Sequence, residues 1–355
     1  MIRLSWRQFR LQAAVAAAAL AIVAIVLAIS GPQIVHLYNS TIANCKAQGD
    51  CGTAIASFIH TDRPLQNALT ALLFVVPGLI GIFWGAPLIA RELEAGSFRL
   101  AWTQSVTRSR WLICKLGLVG CAAVAASGLL SLMATWWFHP IDRVNANQFA
   151  WSVFDARNIV PIGYAAFAFA LGVTAGILTR RTLPAMATTL VGFIAARFAI
   201  TRWVRPHLLS PVHGAAALDR GGDLGFIASP SGVVTFTSGN PVIPNSWPIS
   251  SAIVDRAGHT QSAQTLHAFI VRVCPTIGSP PRRVAGGASG HGATQAGPSG
   301  FNACVAQLSR KFHLAVTYQP PSHYWGIQWL ELAVYLVLSL LLAALCLALV
   351  RRRLS

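Results

Sequence analysis

The chain has 355 residues, of which 54 % are hydrophobic and only 10 % are charged. This composition argues against a soluble enzyme or a soluble binding domain and favours an integral membrane protein. A net charge of +17 is typical of nucleic-acid binding in soluble proteins, but cations beside membrane spans account for about half of it, so we expect no nucleic-acid partner.

Six apolar stretches are long enough to cross the hydrocarbon core as helices, which takes about 20 residues each. The segment 1–12 precedes the first of them and separates apolar from arginine side chains on two helical faces. We therefore predict an N-terminal interfacial helix, although a charged lead-in that only sets topology is the alternative. The predicted spans are 12–30, 65–90, 112–138, 159–179, 183–201 and 324–350.

The distribution of basic residues predicts the orientation of these spans. Segments 1–11, 91–115, 180–183 and 351–355 carry 13 of the 27 lysine and arginine residues. Because cytoplasmic segments concentrate lysine and arginine, both termini are predicted to be cytoplasmic. Arginine far outnumbers lysine and alanine is abundant, which is typical of a GC-rich bacterial genome, so we expect a bacterial plasma membrane. Anionic lipid of the inner leaflet is an expected partner of the basic face.

A charged segment, 91–111, joins the second and third predicted spans on the cytoplasmic side. It is longer than the roughly four to six residues that reverse a chain, and it mixes both charge signs with aromatic residues. We predict that it docks a soluble partner, with Glu92 and Glu94 making oriented contacts and aromatic side chains acting as anchors. The alternative is a solvated face in which Arg91 and Arg99 balance the two glutamates.

This segment carries an ordered motif in which charged, small and hydroxyl residues alternate. The motif residues are Arg91, Glu92, Glu94, Gly96, Ser97, Leu100, Ser105, Val106, Thr107 and Arg108, with Arg99 and Trp102 inside it. It resembles the first cytoplasmic loop of ABC-2-type permeases, the membrane subunits of ATP-binding-cassette exporters. In that family the loop touches the nucleotide-binding subunit and transmits its closure to the membrane helices. The six-span layout is also similar to that family, whereas the long insertion before the last span departs from it.

The resemblance implies a permease that exports a substrate with ATP hydrolysed by a separate ABC nucleotide-binding subunit. The sequence has no G-x-x-x-x-G-K-(S/T) motif, so we expect no enzymatic activity and no cofactor in this chain, with ATP and Mg in the partner. A second permease copy, identical or paralogous, is expected because six spans are few to enclose a path. No metal site is expected, since the histidines lack ligand spacing. The substrate stays open.

Charges inside predicted spans are costly, and two of them lie towards the outer ends of their spans. Arg197 and Glu331 lie about 7 and 10 Å below the outer ends of the fifth and sixth spans, at about 1.5 Å per residue. We predict that they pair and fix the outer half of these helices. The alternative is that each side chain snorkels to the interface.

The outer insertion, 202–323, is long enough to form a small domain. Residues 232–237 and 313–318 have strand patterns, whereas the apolar residues of 266–273 and 301–312 have helical spacing. The glycine-rich stretch 284–300 is predicted to be a disordered loop. Four cysteines on the oxidising side predict two disulfides, Cys45 with Cys51 and Cys274 with Cys304; free thiols or a crossed pairing are the alternatives.

Together these patterns predict an all-α polytopic membrane protein with a small α+β extracytoplasmic insertion before the last of six transmembrane helices. The domain boundaries are expected at 1–201, 202–323 and 324–355. A second class of function is a membrane-anchored sensor or binding protein, in which the disulfide-linked outer domain reads a ligand. An intramembrane enzyme is disfavoured, because the predicted spans contain no catalytic dyad or metal set.

Overall fold

The computed structural model describes residues 2–43, 45, 51–95, 108–144, 147–218, 225–228, 234–237, 243, 245–274 and 298–353. The chain divides into two units, a membrane unit that extends to residue 208 and resumes at 324, and an insertion unit of residues 209–323. The insertion unit starts later than the predicted position 202, because helical turns continue the fifth span through His207.

Within the described residues, six helices are long and apolar enough to cross a membrane, and each matches one of the predicted spans, the fourth starting one residue later than predicted. Their bounds are Phe9–Ile42, Arg63–Glu94, Ser109–Asp142, Val160–Thr179, Thr182–His207 and Pro321–Arg352. The first span belongs to an uninterrupted helix, Ile2–Leu37, that passes into a π-helical turn, Tyr38–Ala43. Residues 2–12 are thus helical and continue without a break into the span; their position at the membrane interface stays a prediction.

The other helices of the membrane unit follow the chain as a mixture of regular and wider turns. The second span consists of Arg63–Ile80, a π turn at Gly81–Gly85, and Ala86–Glu94. The third is Arg108–Asp142, the fourth Val160–Thr179, and the fifth Thr182–Ala199 with a π turn, Ile200–Val204, and a 3₁₀ turn, Arg205–His207. The sixth is Tyr324–Arg353 after a 3₁₀ turn, Pro321–His323, and two short helices, Gly52–His60 and Trp151–Phe154, lie in the connections.

The fourth span is the centre of the membrane unit. It packs against the second, third, fifth and sixth spans, and 72 % of its most apolar stretch is buried, against 6 % for the first span. The second span approaches it closely, since a Cβ atom at Gly81 or Gly85 would lie 2.6 Å from the carbonyl oxygen of Ala168 or Phe169. Only glycine permits this backbone contact, which fixes the height of the second span relative to the fourth.

The insertion unit contains two antiparallel sheets. One has the strand order β1-β5-β4, formed by Val212–Ala216, Phe312–Gln319 and Trp247–Asp255. The other pairs β2, Gly225–Ala228, with β3, Val234–Thr237. Strands β3 and β5 fall where the sequence predicts strands, whereas β1, β2 and β4 have weaker patterns and are fixed by pairing with neighbours.

Two helices and a disulfide complete the core of the insertion unit. The helices are Ala263–Val273 and Pro298–Lys311, in agreement with the predicted helical spacing. Cys274, directly after the first helix, is bonded to Cys304 in the second, with a Cα to Cα distance of 5.6 Å. The predicted glycine-rich loop lies mostly outside the described residues, and its last three positions, 298–300, begin the second helix. The disulfide thus joins two helices that otherwise share a small apolar core.

Candidate functional site

The predicted coupling loop, 91–111, is described only where it leaves and re-enters the membrane unit. Arg91, Glu92 and Glu94 belong to the last helical turns of the second span, and the third helix begins at Arg108. Outside the described residues lie Gly96, Ser97, Arg99, Leu100, Trp102, Ser105, Val106 and Thr107, and so does the side chain of Arg108. We call the part of the membrane unit around these helix ends the loop end.

Glu92 forms an ion pair with Lys115 of the third span. The Lys115 side chain is only 4 % exposed, and its Nζ lies 4.7 Å from the ring centroid of Trp111. The Glu92 side chain is 18 % exposed. A buried ammonium group requires an opposite charge to offset the loss of hydration. Glu92 therefore neutralises Lys115 and ties the end of the second span to the third.

Glu94 connects the same helical turn to the fifth span. Its Oε2 accepts hydrogen bonds from the backbone N–H and the hydroxyl of Thr182, at 3.3 and 2.6 Å. Thr182 is the first residue of the fifth helix, where unpaired N–H groups and the helix dipole favour a carboxylate. Glu92 and Glu94 thus bond the second span to the third and fifth spans.

These contacts give the two glutamates partners within their own chain, while their predicted contacts with a soluble partner stay a prediction. The sequence predicts contacts with a soluble partner, or a solvated face balanced by arginines, whereas the structure directs both carboxylates to groups of their own chain. The reason is tertiary, because the third and fifth spans bring Lys115 and Thr182 beside the end of the second. Arg91, whose side chain is exposed, forms no ion pair with any residue that the structure describes.

A cavity of about 270 Å³ adjoins the pair of Glu92 and Lys115. Its polar wall also includes Gln12 and Arg91, and its apolar wall includes Phe9 and Trp84. The rings of Phe9 and Trp84 meet edge to face with centroids 5.0 Å apart. The first span therefore touches the second at this level through an aromatic contact beside a polar cavity.

Arg197 and Glu331, the intramembrane pair predicted from the sequence, have different partners in the structure. Arg197 donates from Nη2 to Oδ2 of Asp155 at 3.2 Å. Glu331 accepts from Nε of Arg205 at 2.7 Å and from its Nη2 at 2.8 Å. The predicted direct pair is therefore replaced by a cluster of four charges. We call the part of the membrane unit around this cluster, where the fifth span ends and the sixth begins, the insertion end.

Arg205 is the central member of this cluster. Besides its two bonds to Glu331, it donates from Nη2 to Oδ1 of Asp155 at 2.5 Å, and its guanidinium carbon lies 4.5 Å from the ring centroid of Phe154. Glu331 also accepts from the hydroxyl of Tyr164 at 2.9 Å. Glu331, Arg205 and Asp155 are 0, 5 and 6 % exposed. Two cations and two anions thus neutralise one another in a site closed to solvent.

Asp155, Tyr164 and Arg205 are absent from the sequence-based prediction. Arg205 lies eight residues after Arg197, a spacing that turns the two side chains roughly 80° apart on a regular helix. The π turn Ile200–Val204 inserts about one extra residue into that helix and restores a common face. A π turn has no clear sequence pattern, but the cost of burying Glu331 was a usable signal that a cation had to lie nearby.

The cysteines pair as predicted from their even number. Cys45 is bonded to Cys51, with a Cα to Cα distance of 5.7 Å, and the second disulfide joins Cys274 and Cys304.

The insertion unit also contains a cleft of about 350 Å³ whose lining includes Asp255, Arg272 and Lys311. The backbone N–H of His259 and, to a smaller extent, that of Ala257 hold the pKa of Asp255 below its usual value, against an opposing effect of desolvation.

A family model provides the comparison with known proteins. No curated protein and no solved structure matches the chain. The model described as ABC-2 membrane transporter related matches residues 17–205, which is more than half of the 355 residues. The match covers most of the first and fifth spans and all of the second to fourth, including both glutamates of the loop end and Arg205. Together with the six apolar helices, it establishes that this multi-pass membrane protein belongs to the ABC-2 membrane transporter related family.

Proposed function

We propose that the chain is the permease subunit of an ABC exporter in a bacterial plasma membrane. In this proposal, a separate nucleotide-binding subunit hydrolyses ATP, and a second permease copy, identical or paralogous, completes the path for an outward-moving substrate. The observation that carries the proposal is the family match over the first five spans. The density of arginine and lysine at the loop end supports cytoplasmic termini and an extracytoplasmic insertion.

The proposal assigns a mechanical role to the contacts at the loop end. The nucleotide-binding subunit docks on segment 91–111 and moves it when ATP closes that subunit. The last turn of the second span follows this movement, and the bonds of Glu92 to Lys115 and of Glu94 to Thr182 carry it to the third and fifth spans. Glu92 and Glu94 are then positioning residues, whereas the partner contacts belong to other residues of the loop.

The first test is whether a nucleotide-binding subunit works with this chain. The candidate is the product of an adjacent reading frame that carries a Walker A motif, co-expressed and purified with the permease in lipid nanodiscs. We expect a stable complex whose ATP hydrolysis rate depends on the permease. A permease that binds no such subunit in its native membrane contradicts the exporter function.

The second test separates coupling from assembly. Spin labels at the exposed Leu183 of two copies, in a background lacking the free cysteines, report how the loop ends move when ATP is trapped. We expect Glu92→Gln to keep the complex but reduce the ATP-dependent distance change, and the exchange Glu92→Lys with Lys115→Glu to restore part of it. Arg143→Gln, an exposed charge outside the loop end, is the matched control. An unchanged signal in Glu92→Gln contradicts the coupling role but leaves the exporter function intact.

One observation favours a second candidate, a membrane-anchored sensor. The insertion unit has a disulfide-linked core of its own and a polar cleft, as a ligand-reading domain requires. Under this function, a small ligand stabilises the insertion unit against heat, and the chain acts without an ATPase. A permease-dependent ATPase rate with no ligand effect on the insertion unit excludes the sensor.

A further inference from the structure

A groove runs between the first and second spans on the side of the membrane unit at the loop end. It consists of two adjoining cavities, the one of about 270 Å³ beside Lys115 and a second of about 230 Å³, and Trp84 lines both. The first span packs along the third span, which forms the floor of the groove through Val119, Ala126 and Leu130. Phe83, at the edge of the groove, is 53 % exposed.

The two parts of the groove differ in polarity. The part at the loop end contains Gln12, the pair of Glu92 and Lys115, and the exposed Arg91. Because Glu92 neutralises Lys115, the excess charge among the described residues that line this mouth is the single positive charge of Arg91. The lining of the second part is entirely apolar and includes alanine, valine and leucine side chains such as Ala19, Val23 and Val76.

The length of the groove corresponds to one leaflet of a bilayer. Its lining on the first span extends from Gln12 to Val23, which is about 16 Å at a rise of about 1.5 Å per residue. Half of a hydrocarbon core of roughly 30 Å is about 15 Å. A molecule with a charged head at Arg91 and one extended acyl chain along the apolar part therefore has the dimensions of the groove.

We propose that this groove binds one anionic glycerophospholipid of the surrounding leaflet. Arg91 contacts the phosphate, the indole of Trp84 lies at the junction of head and chain, and an acyl chain occupies the space beside Ala16 and Ala19. The positive mouth selects an anionic head over a zwitterionic one, and the depth of the apolar part selects an acyl chain over a soluble ligand. A second protein copy fits the groove less well than a lipid. An apolar helix face of that copy fills the apolar part but offers no partner for the charge of Arg91.

The test uses the full chain in nanodiscs of phosphatidylcholine that contain phosphatidylglycerol with a photoactivatable acyl chain. We expect labelling to concentrate on the residues that line the apolar part, identified by mass spectrometry of the digested protein. Ala16→Trp fills the groove and is expected to abolish this labelling, whereas Ala18→Trp, an exposed position on the opposite face of the same helix, leaves it unchanged. Arg91→Gln is expected to reduce the preference for phosphatidylglycerol over a phosphatidylcholine probe by about fivefold.

Four outcomes overturn the proposal. The first is labelling spread evenly over the exposed faces of the first span. The second is unchanged groove labelling in Ala16→Trp, provided that gel filtration and thermal unfolding show a folded protein. The third is a crosslink between two copies through a cysteine placed at Ala19, which identifies a second permease as the occupant. Arg91→Gln with its lipid preference intact shows that the head is bound elsewhere and likewise overturns the assignment.

Discussion

The loop end and the insertion end of the membrane unit hold charged residues in opposite ways. At the insertion end, Asp155, Arg197, Arg205 and Glu331 form a closed set in which every charge has a partner and no side chain is more than 14 % exposed. At the loop end, Glu92 and Lys115 form one pair, Glu94 binds a single threonine, and Arg91 is exposed. In the first arrangement every charge is paired, and we call it saturated. The second leaves the exposed charge of Arg91 without an ion pair among the described residues.

This difference separates a fixed joint from an adjustable one. A saturated buried network has one favourable geometry, because displacement of any member leaves an unpaired charge in a medium of low dielectric constant. A single pair beside a cavity is displaced at lower cost, since only one contact is broken and water in the cavity reaches the Glu92 carboxylate. We therefore expect the fifth and sixth spans to move together at the insertion end, whereas the second, third and fifth spans rearrange at the loop end.

The largest expected effect is at Arg205. Arg205→Met leaves Asp155 and Glu331 with only one cation between them, and breaking a buried ion pair costs about 3–5 kcal/mol. We expect a protein that unfolds at much lower temperature in detergent, measured by tryptophan fluorescence. Adding Glu331→Gln removes the surplus anion and leaves the pair of Arg197 with Asp155, so the double variant recovers much of the loss.

Arg202 is the matched control for this prediction. It lies in the π turn just before Arg205 and its side chain is exposed, so Arg202→Met removes the same charge from solvent at little cost in stability. Equal unfolding temperatures of the Arg202 and Arg205 variants contradict a saturated cluster. A double variant no more stable than Arg205→Met alone shows that Glu331 does not depend on Arg205 for its charge balance.

The pair at the loop end predicts a smaller and asymmetric effect. Glu92→Gln leaves the buried Lys115 ammonium without its counter-charge, at a cost of about 2 kcal/mol. Lys115→Met instead leaves Glu92, which is 18 % exposed and lies beside the cavity, where water solvates it. We expect Glu92→Gln to lower the unfolding temperature more than Lys115→Met. The opposite order indicates that Lys115 reaches water and that the pair is not the tie that we describe.

The six spans were predictable because apolar length is a local property of the sequence. The two disulfides were also accessible, since four cysteines in outer segments restrict the possible pairings. The partners of Arg197 and Glu331 were not accessible, because the π turn that aligns Arg205 leaves no pattern. Asp155 is a further example. It lies two residues from Arg157 in the chain, yet Arg157 pairs with Asp142, and Asp155 binds Arg197 and Arg205. Local charge balance therefore identifies which groups need partners without identifying the partners.

The hydroxyl of Tyr324 provides a further test at the insertion end, with a smaller expected effect on stability. The amide of Asn158 donates to the hydroxyl of Tyr324 at 2.7 Å and joins the connection before the fourth span to the start of the sixth. Tyr324→Phe keeps the ring but leaves that amide without its acceptor, so we expect a loss of about 1 kcal/mol in unfolding free energy. Tyr335→Phe is the control, because the buried hydroxyl of Tyr335 has no hydrogen-bond partner among the described residues. Equal losses in both variants contradict the role of the bond.

The smallest effect on stability, and the most direct test of an adjustable joint, is expected at Thr182. Thr182→Val removes the hydroxyl that donates a hydrogen bond to Glu94 at 2.6 Å. It keeps the backbone N–H and the shape of the side chain. Both groups are near solvent, so water replaces the lost bond and the unfolding temperature is expected to stay close to that of the wild type. In the proposed coupling, the movement of the fifth span is affected more, because Glu94 bonds the start of that span to the last turn of the second span. We expect the ATP-dependent signal at Leu183 to fall in Thr182→Val and to persist in Thr188→Val, whose hydroxyl bonds only within its own helix. A normal signal in Thr182→Val would assign the movement of the fifth span to its packing against the fourth and leave Glu92 as the bond that transmits force from the loop.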